Sequence, residues 1–357
     1  MNNNTIVTTL PLKPRTDMKV FHYLIPALVE QTGKLLNCKT NLMINNIGFY
    51  ENLDIESFLN FFKQKNIKFD NTYIDKDYLD YMVSCIKKLI DEDKIIEKNV
   101  PIYRCRCGKV DIIKNGVRDF SSGDFYTIDD NNDITCSFCK SKAEEVYEKA
   151  LIIDDPKKYF KPQVCPTYME KMMLDLLKQR EECYILVSKK RDTGISIKVG
   201  ENNYNLDVDF VWANFPQIFN EKNVIIFTGS NLLYESFVVN LISNMHNEKN
   251  VFIVHQAKVL SNNKGLEDKL LLLDNDKLKL NMCFNINLKT YTTNWSEAVF
   301  NFLLNCDEVI TNMLLKYPGY KIDFDENNLS SNKLENFIKF GFNFQFNKNA
   351  VLKLVQK

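Results

Sequence analysis

The 357-residue sequence has no excess of charge of either sign, no long apolar run and no export signal. Lys and Arg together number 46, as do Asp and Glu, which excludes a globally basic nucleic-acid-binding protein but leaves room for a local basic face. No apolar run approaches the roughly 18–20 residues needed to cross a bilayer, so no membrane partner is expected. The first eleven residues lack the basic and apolar segments of a secretory signal, which predicts a cytoplasmic protein.

Glycine and proline are scarce, with 11 and 9 residues, and neither an internal repeat nor a low-complexity linker is present. The accompanying abundance of Asn, Lys, Ile, Phe and Tyr indicates an AT-rich coding sequence and is given no functional weight. The chain is 45% hydrophobic and 26% charged, as in an ordinary soluble globular protein. A prior of about 150 residues per domain predicts two or three domains, each with its own core.

Ten cysteines are present, and four of them form two close pairs, Cys105/Cys107 and Cys136/Cys139. A disulfide framework is the weaker interpretation in a reducing compartment. Four thiolates in a tetrahedral array satisfy Zn²⁺, and Gly108 lets backbone amides turn towards sulfur. We therefore predict a structural zinc site with no position open to a substrate. Free thiols or a relict knuckle are the alternative, because Cys-x-Cys is less usual than Cys-x-x-Cys. We interpret the isolated cysteines as core residues: Cys38, Cys85, Cys165, Cys183, Cys283 and Cys306.

Apolar patterning predicts an α/β fold. A β-branched run at 5–10, a helix at about 18–37 and a strand at 41–48 form the βαβ opening of a parallel nucleotide-binding sheet. The same order recurs at 223–228, 232–246 and 251–255. Further predicted elements are helices at 55–66, 75–97, 166–180 and 295–316 and strands near 183–188 and 195–199. The predicted architecture is a Rossmann-like parallel sheet split by a zinc-ribbon insertion, with a short, mainly helical C-terminal region.

Four segments correspond to this architecture. Residues 1–99 are the first half of the Rossmann-like domain, 100–150 the inserted zinc module, 151–270 the second half, and 271–357 the helical C-terminal region. Short segments, glycines and an acidic turn surround the cysteine pairs within the insertion, as expected of a small module.

A series of segments stands in a distinctive order along the chain. They are TTLPLKPRTDMKVFHY (8–23), the cysteine module, ILVSKKRDTGISI (185–197), DVDFVWANF (207–215), VIIFTGSNLLYES (224–236), VFIVHQAKVL (251–260) and NWSEAVFNFLLNCDEVITNMLL (294–315). Together they resemble the class I aminoacyl-tRNA synthetases that activate Met, Ile, Val, Leu and Cys, above all the methionyl enzymes. In that family they correspond to the HIGH motif, the zinc-carrying connective peptide, the "ISRQRYWG" stretch, the Trp-containing strand of the amino-acid pocket, the "GKD" segment, the strand before KMSKS and the first anticodon-region helix.

The resemblance implies a nucleotide site at the start of the first long helix. HIGH binds ATP phosphates at a helix N-terminus, where amide groups favour anions. The aligned residues here are Lys19, Val20, Phe21 and His22, so only the second histidine is kept. Lys19 is a candidate replacement for the first histidine, whereas Phe21 blocks the close approach that glycine permits. The other interpretation of His22 is an ordinary surface or capping histidine.

The resemblance also implies nucleotide-binding roles for Gly229, Asn231 and His255. Gly229 is kept from "GKD", while Asn231 replaces the Asp that holds the ribose hydroxyls and can hydrogen-bond only without charge. The other interpretation of Asn231 is a helix N-cap. Lys264 and Lys269 fall at KMSKS, whose lysines stabilise the pyrophosphate leaving group, although neither the serine nor the spacing is kept. A solvated charged loop is the alternative for these lysines.

Pro11 and Trp212 are the candidate amino-acid-binding residues, with a core position as the alternative for Trp212. Lys189, Lys190 and Arg191 form a short basic run able to contact phosphates of ATP or of an RNA end, or else a solvated face.

Two functional hypotheses follow. The first is a reduced synthetase-like ligase that makes an aminoacyl adenylate from an amino acid and ATP/Mg²⁺ and passes it to tRNA or a small acceptor, with His22, Lys264 and Lys269 as catalytic residues. The second is a non-catalytic paralogue that binds tRNA, an amino acid or a protein partner. Because likeness of fold does not carry chemistry when site residues differ, amino-acid-dependent ATP–pyrophosphate exchange separates the two.

Overall fold

A computed structural model of the chain describes residues 4–311, apart from residues 19, 48–53, 114–125, 132, 179–183, 191–194, 230, 257, 261–265, 271, 275, 279–285, 288–291, 295–296, 306 and 309–310. The site candidates Lys19 and Lys264, and with them Arg191, Cys183, Cys283 and Cys306, therefore lie outside the described residues. In the part of the chain that is described, no helix is long and apolar enough to span a membrane.

The chain alternates helices and strands. The helices are α1 (Val20–Leu36), α2 (Ile55–Gln64), α3 (Leu79–Asp91), α4 (Thr167–Lys178), α5 (Val208–Trp212), α6 (Leu233–His246), α7 (Leu266–Leu270) and α8 (Glu297–Asn305), with 3₁₀ turns at Asp75–Tyr78, Pro156–Lys158 and Phe215–Ile218. The strands are β1 (Thr5–Thr9), β2 (Lys39–Ile44), β3 (Asn71–Ile74), β4 (Ile96–Arg104), β5 (Asp111–Ile112), β6 (Tyr126–Ile128), β7 (Ile134–Cys136), β8 (Glu144–Asp154), β9 (Val164–Cys165), β10 (Tyr184–Leu186), β11 (Ile195–Val199), β12 (Asn202–Leu206), β13 (Asn223–Thr228), β14 (Asn250–His255), β15 (Lys258–Leu260), β16 (Ile286–Asn287) and β17 (Thr292–Asn294).

A six-stranded parallel sheet forms the centre of the fold, in the order β3-β2-β1-β13-β14-β9. The predicted α/β class and both βαβ units are confirmed. Helices cover both faces, so successive residues of one strand enter different cores. On β2, Leu42 and Ile44 pack with α1 and α2, whereas Met43 joins the larger cluster on the opposite face.

Strands β4, β5 and β8 of the segment between α3 and α4, together with β10 after α4, form a second, antiparallel sheet in the order β10-β8-β4-β5. Its longest pairing runs from Ile96 opposite Ile152 to Arg104 opposite Glu144. One face of this hairpin is apolar, with Val100, Ile102 and Ala150 buried. The short β6–β7 hairpin and both cysteine pairs lie at the end of this sheet where β4 meets β5. The division of the chain into four segments remains a prediction.

Three predicted elements differ from the structure. The helix predicted at 75–97 ends at Asp91, because Asp93 adopts a left-handed φ of 54° and β4 begins at Ile96. The 207–215 segment, aligned with a strand, instead forms the short helix α5. The Asp207 side chain accepts the backbone N–H of Asp209 at 3.3 Å and so caps this helix. The region predicted to be mainly helical beyond 271 also contains β16 and β17, and most of it lies outside the described residues.

Candidate functional site

The central sheet has a topological switch point between β1 and β13. After β1 the chain forms α1 and then β2, which pairs with β1 on one side. After β13 it forms α6 and then β14, which pairs with β13 on the opposite side. Neighbouring connections that diverge in this way open a crevice at the carboxyl ends of the two strands, the usual ligand site of α/β sheets. The carboxyl ends of β1 and β13 are therefore the place to look for a nucleotide site.

The loop after β1 is fixed on both sides of this switch point. The backbone N–H of Leu10 donates to Phe227 O at 2.9 Å, and that of Leu12 donates to Met43 O at 2.9 Å. Pro11 lies between these anchors and is half-buried at the edge of the sheet, while His22 lies half-buried in the first turn of α1. The candidate amino-acid-binding residue Pro11 and the candidate ATP-binding residue His22 therefore both follow β1.

Gly229 follows β13 and leaves room for a neighbouring amide. A Cβ atom at Gly229 would lie 2.7 Å from Asn231 Oδ1, so the exposed Asn231 side chain occupies the space above this glycine. The N-cap residue of α6 is Leu232, whose side chain makes no capping hydrogen bond. The alternative interpretation of Asn231 as the N-cap is therefore wrong, and its amide lies at the edge where the ligand site is expected.

His255 ends β14 and is fully buried. Its Nδ1–H donates to Gly229 O at 2.9 Å, because a carbonyl can only accept. Burial lowers the pKa of His255 to about 4, which leaves the ring neutral at pH 7. Since none of its surface is exposed, His255 can influence a bound nucleotide by holding the Gly229 loop rather than by touching the phosphates.

Trp212 lies in the main core with 4% of its surface exposed. It is on α5, which packs between α3 and α6, and its indole Nε1–H donates to Asp209 Oδ1 at 3.0 Å. The structure thus gives Trp212 a core position, and its amino-acid-binding role remains a prediction.

The basic residues near the predicted site are engaged with acids. Lys189 forms a salt bridge with the buried carboxylate of Asp207. The Lys190 backbone N–H donates to Asp111 Oδ2 at 2.6 Å, and its ammonium lies 3.8 Å from Glu148 Oε2. Phosphates would have to compete with these carboxylates. Lys269 is exposed on α7, which lies against α1 and so near the helix of His22.

The four paired cysteines converge as predicted. Their sulfur atoms all lie within 4.8 Å of one another, with Cys107 Sγ 3.4 Å from Cys105 Sγ and 3.6 Å from Cys136 Sγ. A tetrahedral Zn²⁺ with Zn–S bonds of about 2.3 Å holds neighbouring sulfurs about 3.8 Å apart. The donor set and its spacing therefore fit a tetrahedral thiolate-bound metal ion.

Each cysteine pair lies in a tight turn that directs backbone amides at sulfur. Val110 N–H donates to Cys105 Sγ at 3.2 Å, and Phe138 N–H donates to Cys136 Sγ at 3.4 Å. The first turn needs the left-handed φ of 71° at Gly108, and Lys140 adopts 56° at the matching point of the second. Such amide–sulfur bonds stabilise the thiolates that a metal requires.

Ser141 is a residue of this centre that the cysteine spacing does not reveal. Its Oγ lies 3.0 Å from Cys139 Sγ and accepts the Arg106 backbone N–H at 3.4 Å, which joins the two turns. Hydrogen bonds from Ser141 lower the pKa of Cys139 to about 6. A hydroxyl two residues after a cysteine pair is the signal that could have indicated it.

Arg104 and the buried Asp111 form a second feature that the motifs do not indicate. Arg104 Nη2 donates to Asp111 Oδ1 at 3.0 Å and to Glu148 Oε1 at 2.6 Å. Asp111 also accepts the Lys190 backbone N–H, so this cluster connects β4, β5 and β8 to the chain that follows β10.

Solved structures of a known enzyme have the same fold. A structure of Mycobacterium tuberculosis methionyl-tRNA synthetase bound by methionyl-adenylate matches with a TM-score of 0.57 at 10% sequence identity, covering 85% of this chain and 69% of that chain. A second complex of that enzyme with methionyl-adenylate has a TM-score of 0.59 at 9% identity, covering 85% of this chain and 69% of that chain. The apo form has a TM-score of 0.56 at 10% identity, covering 83% of this chain and 64% of that chain. The chain shares the fold of methionyl-tRNA synthetase.

Sequence comparison adds no closer relation, since no protein-family model and no curated protein matches the chain. At about one residue in ten identical, the likeness to the synthetase concerns the fold alone. The chemistry of the site must therefore be argued from the residues of this chain.

Proposed function

We propose that the chain is a methionyl-type, class I synthetase-like protein that binds ATP with Mg²⁺ and an amino acid in the crevice between β1 and β13. It forms the aminoacyl adenylate far more slowly than a synthetase with intact motifs, and passes the acyl group to tRNA or a small acceptor. The observation that carries this proposal is the position of Pro11, His22, Gly229 and Asn231 at one edge of the parallel sheet.

The nucleotide is held mainly by backbone and neutral groups. Asn231 lies over Gly229 and can hydrogen-bond the ribose, while His22 and Lys19 belong to the segment that starts α1, where amides attract phosphate. His255 holds the Gly229 loop through its hydrogen bond to the Gly229 carbonyl. Bound ATP would supply the activated phosphate that an amino-acid carboxylate attacks, and these residues orient it.

Slow adenylation follows because charged motif residues are replaced and nearby lysines are paired with acidic side chains. Losing one leaving-group contact costs about 10²–10³ in rate, and HIGH, GKD and KMSKS are all altered. The combined loss is therefore at least about 10⁴. Lys189 and Lys190 do not replace the lost charge, because both contact acidic side chains within the protein.

Cys105, Cys107, Cys136 and Cys139 would hold one structural Zn²⁺. Four protein thiolates complete a tetrahedral zinc site, so no position remains for a substrate or water. The metal would stabilise the folded module rather than take part in adenylation.

Two measurements test the proposal. The first is amino-acid-dependent ATP–pyrophosphate exchange with every proteinogenic amino acid, with and without tRNA, and the second is calorimetric binding of MgATP. We expect measurable ATP binding that Asn231→Ala weakens, and exchange at or below the limit of detection. Lys198→Ala, which changes an exposed residue of β11, is the matched control. Robust exchange that His22→Ala or Lys264→Ala abolishes would contradict the slow step, and loss of ATP binding altogether would reject the ATP site.

The second candidate function is a non-catalytic paralogue that binds tRNA, an amino acid or a protein partner. The engagement of Lys189 with Asp207 and the core position of Trp212 favour it, since neither residue is then available to a reacting substrate. Amino-acid or tRNA binding without ATP binding would support this candidate over the first.

A further inference from the structure

The surface around the cysteine pairs carries three exposed cations and an exposed aromatic ring. Arg106 and Lys109 belong to the first cysteine turn, and Phe138 and Lys140 to the second. Phe138 is 55% exposed although it is a large apolar side chain. We call these four residues the knuckle face.

The cations of the knuckle face have no carboxylate partner in the described part of the chain. Among the residues that the structure describes, none of Arg106, Lys109 and Lys140 forms an ion pair. Lys109 Nζ instead lies 5.6 Å from the centre of the Phe138 ring, a cation–π distance that connects the two turns. The ring is thereby held at the surface between positive charges.

Three acidic residues of the same module lie in a separate turn. Asp129, Asp130 and Asp133 belong to the turn of the β6–β7 hairpin, where Lys142 pairs with Asp133 at 2.5 Å. Strand β7 leads from that turn to Cys136, its last residue, so Asp133 and Cys136 are about 10 Å apart at 3.3 Å per residue. These three carboxylates therefore lie apart from the knuckle face, whereas Glu148 of β8 and Asp111 of β5 pair with Arg104.

We propose that the knuckle face binds single-stranded nucleic acid, for which RNA is the probe. Arg106, Lys109 and Lys140 contact phosphates, and Phe138 stacks on one unpaired base. An aromatic ring between cations suits a flexible strand, because every base has a face that can stack while the charges follow the backbone. A regular duplex keeps its bases inside and would leave Phe138 without a partner. This inference does not depend on the ATP site and stands if pyrophosphate exchange fails.

The test is fluorescence anisotropy of a labelled single-stranded oligouridylate with the full-length chain, measured across a range of KCl concentrations. Phe138→Ala should weaken binding at least about fivefold, the loss expected for one stacked base. It should leave the salt dependence unchanged. The backbone amide that bonds Cys136 Sγ is kept in this variant, so the turn itself is preserved.

The triple variant Arg106→Gln/Lys109→Gln/Lys140→Gln should instead reduce the slope of log affinity against log salt by about 2, at about 0.7 per phosphate contact. The matched controls are Tyr147→Ala, which removes an aromatic ring that is 67% exposed on β8, and a triple glutamine variant of the exposed Lys63, Lys87 and Lys198. Neither control should change binding by more than about twofold. Metal content and thermal unfolding of every variant confirm that the module is intact.

Several outcomes would overturn the proposal. They are an unchanged affinity in both knuckle-face variants, an equal loss in the control triple, and equally tight binding of a duplex of the same length. Displacement of the RNA by polyglutamate as readily as by unlabelled RNA would also overturn it, because it would indicate an acidic protein segment as the partner.

Discussion

Two buried histidines should make the protein less stable as the pH falls from about 6.5 to about 4. Burial lowers the pKa of both His255 and His246 to about 4, against about 6.5 in an unfolded chain. Between these values the unfolded state binds protons that the folded state does not, so acid favours unfolding. The stability that depends on the neutral rings is complete above pH 6.5 and is lost towards pH 4.

The size of the effect follows from these pKa values. Relative to pH 8, the linkage relation gives a loss of about 2 kcal/mol per histidine at pH 5. Asp75 acts in the opposite direction, because burial raises its pKa to about 6 and the folded state takes up a proton first. That protonation restores about 1.4 kcal/mol at pH 5. The net loss of about 2–3 kcal/mol is a large share of the 5–15 kcal/mol typical of a protein.

His255→Asn and His246→Gln test this account, because each amide can replace one ring nitrogen as a donor but does not titrate. Asn places its nitrogen near the Nδ1 that contacts Gly229, and Gln places it near the Nε2 that lies 2.8 Å from Asn214 Oδ1. In urea unfolding at pH 8 and pH 5, each single variant should lose about 2 kcal/mol less on acidification than the parent, and the double variant about 4 kcal/mol less. A double variant with the pH dependence of the parent would refute the reasoning.

The remaining predictions concern the cysteine centre, the Gly229 loop and the Arg104 cluster. Purified protein should contain one zinc, and Cys136→Ser/Cys139→Ser should lose it and become protease-sensitive between about residues 100 and 150; a full metal equivalent in that variant would contradict the assignment. Gly229→Ala should weaken ATP binding with a stability loss below about 1 kcal/mol, because the exposed Asn231 amide can move aside, and calorimetry should show no further loss in the double variant with Asn231→Ala. Asp111→Ala should cost about 1–3 kcal/mol in urea unfolding, since it leaves the Lys190 backbone N–H without its acceptor and removes one of the two carboxylates that the Arg104 guanidinium contacts; an unchanged midpoint would contradict this.

The parts of the fold that sequence patterns predicted are those buried on both faces. The runs at 223–228 and 251–255 are continuous and apolar because helices cover both sides of β13 and β14. The edge strand β3 was not predicted because its four residues are exposed or half-buried and so carry no apolar run. The β4–β8 hairpin was missed because its alternating pattern begins directly after α3, whose apolar periodicity runs into Ile95.

The site could be predicted only where local sequence determines it. The cysteine spacing sufficed to predict the convergence of the four thiols, because both pairs form turns within a few residues. The burial of Trp212 and the ion pair of Lys189 with Asp207 depend on helices and strands distant in the chain. No local pattern reports such contacts, and the substrate roles that the motif alignment gives to both residues remain predictions.

Under the proposed function, the shared fold and the altered motifs have different physical causes. The sheet depends on dozens of buried apolar side chains that many substitutions can preserve, whereas leaving-group stabilisation depends on a few charges at fixed positions. In this chain the neutral, backbone-defined elements are kept: Gly229 with its carbonyl held by His255, and the loop after β1 fixed to both neighbouring strands. The charged elements are replaced or engaged elsewhere. Because only interactions that strengthen in the transition state accelerate a reaction, loss of leaving-group charges should slow the proposed adenylation more than it weakens ligand binding in this crevice.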